Sequence, residues 1–166
     1  MLVKMIYAST ATDGVDMNEF KRILETAQRN NAHRDLTGVL CFNSRVFLQG
    51  LEGSREAVND LYGKLMRDSR HNNLAIIKYE QIEHRMYSDW SLAFAAASMN
   101  NRALYLKHGM QSQFNPYGMT EKQAEALLIE MAESSSKMQM GDNVQSGEVA
   151  NDPVAKKAGL LSRFIR

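Results

Sequence analysis

At 166 residues the chain has the size of one domain, or one domain with a tail, and is long enough to bury a real core. Acids and bases are mixed and almost balance, and a net charge of +1 gives no electrostatic case for nucleic acid. Cys41 stands alone, which excludes an intrachain disulfide and a cysteine-based metal cluster and makes a reducing, cytoplasmic setting the expected one. The four histidines have no metal-ligand spacing, so no metal site is expected. No apolar run approaches ~18 residues, and the N-terminus reads as a strand in place of a signal peptide.

Leu2 to Ala8 reads as the first strand, with Val3, Met5 and Tyr7 on one face and Leu2, Ile6 and Ala8 on the other, interrupted by Lys4. Ser9 to Val15 is a loop. Asp16 with Glu19 three residues on starts a helix that runs to about Asn31, with Phe20, Leu24 and Ala27 on its core stripe and Ile23 beside them. Asn30 and Asn31 lie near that stripe, and two adjacent amides there are more than a helix end requires. Leu36 to Phe42 is a second strand, turned by Asn43-Ser44-Arg45 into a third at Val46 to Leu51. On that third strand Phe47, Gln49 and Leu51 share one face and Val46 and Leu48 the other, so Gln49 is an amide among core residues.

Such an amide needs partners for one acceptor and two donors, or costs ~1–3 kcal/mol. A second helix spans roughly Arg55 to Met66, with Val58, Leu61, Tyr62 and Leu65 buried, and a polar loop follows to His71. Leu74 to about Met86 is a long strand, with Ala75, Ile77 and Tyr79 on one face and Ile76, Lys78 and Glu80 on the other. A last strand carries Trp90, Leu92 and Phe94 on one face. The order β-α-β-β-α-β is the ferredoxin-like plan of an α+β fold, with both helices on one face of an antiparallel or mixed sheet.

The opposite face needs a cover, and helical patterns at roughly Asn100 to Met110 and Thr120 to Ser134 supply a two-helix cap; the second opens on a capping-box signal, Thr120 to Gln123. The chain divides into a domain at 1–97, the cap at 98–134, a flexible linker at 135–152 rich in Ser, Gly, Asn and Gln, and a basic amphipathic tail at 153–166. That tail suits a membrane surface or a partner groove; the plainer alternative is a frayed end.

The helix-side face gathers Tyr7, Gln49, Trp90, Asn30 and Asn31 among Ile23, Leu65 and Phe47, which suits a flat, polar-edged ring between the helices. Lys64, Asp68, Arg70 and His71 mark a mouth for a sugar-phosphate tail. No Gly-rich phosphate loop, H-E-x-x-H or G-x-S-x-G is present. A small acylphosphatase-like enzyme needs a phosphate loop with an arginine, which Ser9 to Val15 lacks; a flavin-free interaction domain would treat the polar group as a satisfied core.

The strand Met5-Ile-Tyr7-Ala-Ser-Thr-Ala, the Asn30-Asn31 pair, Leu36-Thr-Gly-Val-Leu, Phe47-Leu-Gln49-Gly-Leu-Glu-Gly53, Asp68-Ser-Arg-His71 and Asp89-Trp90-Ser together resemble the BLUF domain, a blue-light sensor that binds flavin. The resemblance covers roughly residues 1–97, and Phe114-Asn-Pro with Met119-Thr-Glu-Lys-Gln resembles the cap of short stand-alone members. It implies a non-covalent flavin, usually FAD, with FMN or riboflavin as alternatives, between Ile23 and Leu65. Asn31 would bond the pyrimidine edge with Asn30 in support, and Gln49 would bridge Tyr7 and the ring. On illumination Tyr7 would give an electron and a proton, and Gln49 would be left rotated or tautomerised. The resemblance further implies a homo-oligomer, signalling to a downstream protein and no enzymatic output.

Two positions depart from the family pattern. Leu92 stands where methionine is common, and Ala27 where a hydroxyl residue is common.

Overall fold

A computed structural model describes residues 1–87, 90–94, 99–108 and 114–144. The expected tail at 153–166 and the part of the expected linker from 145 to 152 lie outside the described residues. Five strands, β1 (Leu2–Ala11), β2 (Thr37–Phe42), β3 (Val46–Ser54), β4 (His71–Ile82) and β5 (Trp90–Phe94), form one sheet in the order β4-β1-β3-β2-β5. The first four pair antiparallel, and β5 adds parallel to β2. This is the expected ferredoxin-like plan with an added strand. Helices α1 (Met17–Ala32) and α2 (Arg55–Leu65) cover one face; α3 (Met99–Lys107) and α4 (Glu121–Val144) contribute to the cover of the other.

Local signals position these elements as expected. Asp16 Oδ1 accepts from the Glu19 N–H at 2.8 Å, and Ser54 Oγ accepts from the Ala57 N–H at 3.1 Å, each satisfying a donor that the helix itself cannot. At α4 the capping box closes both ways: Thr120 Oγ1 accepts from the Gln123 N–H and Gln123 Oε1 from the Thr120 N–H. In the β2–β3 turn Ser44 takes φ 74°, while Asn43 Oδ1 accepts from the amides of Arg45 and Val46.

Three expectations need correction. β1 runs three residues past Ala8, and β4 begins at His71, because Thr10 and Ala11 pair with Asn72 and His71. Main-chain pairing asks nothing of side-chain polarity, so stretches with a loop-like composition extend the ladder at this end. On β4, Ile77 does not share a face with Tyr79. The register slips by one between Ile6 and Tyr7 of β1, so Ile77 packs with the cap-side core while the Tyr79 hydroxyl bonds Asn59 of α2. Finally, α4 continues to Val144, ten residues beyond Ser134. No glycine or proline interrupts that stretch before Gly141, so a fading apolar period does not end the helix.

The chain falls into two compact units, 1–136 and 137–166, and the second is described only through the end of α4. The first has a core on each face of its sheet. Val3, Met5, Tyr7, Phe47 and Leu51 pack toward α1 and α2; Ile6, Val39, Cys41 and Leu48 pack against Tyr105, Leu127, Leu128 and Met131. Lys4, the residue that breaks the apolar pattern of its face, is 2% exposed and Glu52 is 0% exposed. Lys4 Nζ lies 3.6 Å from Glu52 and 2.5 Å from Glu125 of α4, and Lys78 Nζ lies 2.7 Å from Glu125. An ion network thus fastens the cap to β1, β3 and β4. Among the described residues no helix is long and apolar enough to cross a membrane, and no group of His, Cys, Asp and Glu is placed to hold a metal.

Breaking a buried pair from one side strands the other charge. Lys4→Met is therefore expected to cost about 3–5 kcal/mol in urea unfolding, and the double change with Glu52→Gln to recover much of it. A single-variant loss below about 1 kcal/mol would show that Glu52 needs no cation. Burial pushes the Glu125 carboxyl up, but hydrogen bonds from Lys4 and Lys78 more than offset this and hold it below its ordinary value. Its contribution is then present above the unfolded-state value and lost as pH falls through the folded one. The melting temperature, followed from about pH 6 to about pH 3, should fall less steeply in Glu125→Gln than in the parent.

Candidate functional site

The antiparallel register places Tyr7 of β1 directly opposite Gln49 of β3, and residues so paired share a face. Tyr7 is 2% exposed and Gln49 5% exposed. The Tyr7 phenol donates a hydrogen bond to Gln49 Oε1, so the amide acceptor is turned to Tyr7. Burial, then the neighbouring Tyr62 and Asp68, raises the Tyr7 phenol well above its ordinary value and keeps it neutral. The Tyr62 ring meets it edge-on at 6.0 Å.

A cavity of about 220 Å³ opens beside this pair, between α1 and α2. Ile23 and Ala27 of α1 and Leu61 and Leu65 of α2 give it apolar walls; Phe47, stacked on Phe42 at 4.3 Å, gives it an aromatic one. Asn30, Asn31, Tyr7 and Gln49 supply polar groups, and Lys64, Asp68, Arg70 and His71 line the same cavity. Each residue expected around the ring and its mouth is thus brought to one place, with two exceptions. Trp90 and Leu92 stand in register with Gly38 and Leu40 on β5, and their side chains lie outside the described residues.

Asp68 and Arg70 form a two-pronged ion pair, with Nε and Nη2 of Arg70 at 2.9 and 2.6 Å from the carboxylate. The Arg70 hydrogen bonds hold the Asp68 carboxyl below its usual range despite partial burial. His71 enters because β4 starts early. Its Nε2–H donates to the Leu65 carbonyl at 2.8 Å, so in the neutral ring Nδ1 accepts from the Ser9 hydroxyl at 2.9 Å. That ring ties α2 to β1 at the cavity's end.

Thr26, Arg34, Leu40 and Leu61 also line the cavity and were not anticipated as site residues. Thr26 adjoins Ala27, so a hydroxyl is available one position from where the family pattern has one; Arg34 follows the Asn pair and shares Asp60 with Lys64.

The chemistry of the donor set fits a flat heteroaromatic ring with an imide-like edge. Asn31 is 2% exposed and lines the cavity beside Asn30. A carboxamide there carries both a donor and an acceptor for a ligand edge that presents N–H and C=O together. The residues present therefore fit flavin.

The family model for BLUF, described as sensors of blue light using FAD, matches residues 2–93. The photoactivated adenylate cyclase subunit beta of Euglena gracilis is 33% identical over 99 residues, which are 59% of this chain and 12% of that one. The blue light- and temperature-regulated antirepressor BluF of Escherichia coli (strain K12) is 36% identical over 74 residues, 45% of this chain and 18% of that one. Against such relatives the chain spans a small part of their length. Among solved structures, the photo-activated state of BlsA aligns with a TM-score of 0.71 and 27% identity, over 80% of this chain and 95% of that one. The dark-state structure of BlrB, a BLUF protein, aligns with a TM-score of 0.65 and 25% identity over 80% of this chain and 96% of that one. With more than half of its length matched in one stretch, the chain belongs to the BLUF family of flavin-using blue-light sensors.

Proposed function

We propose that the chain is a blue-light photoreceptor that holds flavin non-covalently between α1 and α2, with Tyr7 and Gln49 as its photoactive pair. The observation that carries this reading is the Tyr7 phenol donating to Gln49 Oε1 beside a cavity that Asn31 also lines. Flavin excited by blue light supplies a strong oxidant. Tyr7, buried and neutral, yields an electron readily only if its proton leaves too, and the bond to Oε1 is the path already made for that proton. When electron and proton return, Gln49 is left altered, by rotation of its carboxamide or as its imidic tautomer. Either change exchanges donor for acceptor toward the cavity, because one planar group carries both. A reversible shift of absorption to longer wavelength follows.

Arg34, Lys64 and Arg70 at the mouth support FAD over riboflavin, since a phosphate tail needs cations. The output is a change in association, with a downstream protein and among copies of the chain, in the cytoplasm and without a catalytic step of its own. The basic segment at 153–166 is an added contact surface for a partner or an anionic membrane.

Tyr7→Phe removes a hydroxyl and almost no volume, so flavin should remain bound and the dark-minus-light difference spectrum should flatten. Gln49→Leu should do the same. A stable, normal shift in flavin-loaded Tyr7→Phe would reduce Tyr7 to a packing residue and overturn the mechanism. Flavin released by denaturation should chromatograph chiefly as FAD; colourless protein from flavin-replete expression would support the flavin-free interaction domain instead.

A further inference from the structure

Gly50 follows Gln49 on β3 and faces the cap, between Ile6 of β1 and Val39 of β2. Its φ is not in the left-handed region, so the backbone does not ask for glycine. The space does. A Cβ there would lie 2.8 Å from the Tyr87 hydroxyl, 3.1 Å from Tyr87 Cε2 and 3.1 Å from Leu128 Cδ1 of α4. Tyr87 is 4% exposed, and its hydroxyl has no hydrogen-bond partner among the described residues. Packing against Gly50 and Leu128 is thus what seats the ring, and close packing responds to shifts of a few tenths of an ångström.

The main chain of Tyr87 is tied to the same strand. Glu52, two residues beyond Gly50, accepts through Oε2 from the amides of Met86 and Tyr87 at 2.8 and 3.0 Å. Glu52 in turn faces Lys4, which bonds Glu125 of α4. The residue bonded in the chain to Gln49 therefore touches, on the opposite face of the sheet, a ring and a cap side chain with nothing between.

We propose that Tyr87, seated on Gly50, is a positioning residue that couples the state of Gln49 to cap helix α4. The coupling rests on the Tyr7–Gln49 reading: a reoriented Gln49 side chain displaces the β3 backbone, and the glycine passes that displacement to Tyr87 and Leu128 because no side chain of its own can absorb it.

The test is a double-mutant cycle in the full chain, reading dark recovery and light-minus-dark amide hydrogen exchange across residues 121–131. Gly50→Ala should keep the primary red shift, change the recovery rate by about five-fold or more and at least halve the exchange difference. Adding Tyr87→Phe, which removes the atom in closest approach, should bring recovery back to within about two-fold of the parent. Parent-like recovery and exchange in Gly50→Ala, or strictly additive effects of the two changes, overturn the coupling. Should Gly50→Ala fail to load flavin, Tyr87→Leu decides alone: a retained red shift with a lost exchange difference is expected, and an unchanged difference overturns the proposal. A parent protein with no red shift would instead overturn the Tyr7–Gln49 reading on which the coupling rests.

Discussion

The structure depends on one cross-strand pairing, that of Tyr7 with Gln49. An antiparallel ladder puts these two side chains on one face at closest approach, and a slip of one residue would turn Gln49 toward the cap. The register is held from both sides. Apolar residues alternate correctly on β1 and β3, and β3 is flanked by strands along its length, so Tyr7 cannot exchange faces without turning Lys4 toward α1 and α2, nor Gln49 without turning Glu52 there. The cavity, the amides that edge it and the basic mouth are arranged about a pair whose position the sheet fixes.

The two faces of the sheet answer different demands. The helix side leaves a space and edges it with amides; the cap side packs Leu127, Leu128 and Met131 against the sheet and holds ions at Lys4, Glu52, Lys78 and Glu125. A buried network of Lys4, Glu52, Lys78 and Glu125 gains little net stability over well-packed hydrocarbon, but it accepts one arrangement of α4 and penalises others. Aliphatic contacts from Leu127, Leu128 and Met131 supply adhesion, and the ions supply placement.

Much of this was legible in the sequence, and for identifiable reasons. Alternation gave Gln49 its face; Asp16 and Thr120 marked helix starts because their side chains satisfy donors that every helix leaves open. The Asn30-Asn31 pair stood out as polar residues beside a core stripe. The parts that were not legible depend on partners distant in the chain. His71 enters β4 because Ala11 pairs with it, and Ile77 changes face because the ladder slips beside Ile6; neither event leaves a local pattern. Lys4 looked like an interruption until Glu125, from a helix more than a hundred residues on, arrived to bond it. Gly50 drew no notice, since a glycine's role as a seat for Tyr87 is a property of the ring above it.

The position of Cys41 has a consequence of its own. Its thiol lies on the cap side, fully buried, 3.9 Å from Met131 Sδ, and burial raises it far above the ordinary range. The sheet separates it from the cavity, so it has no route to an adduct with a ring bound there, and while α4 is seated it is inert to alkylating reagents. The same placement makes the chain's single sulfhydryl a built-in gauge of its own lid: the rate at which a reagent reaches it counts how often the helix lifts, in darkness or in light, with no label added elsewhere.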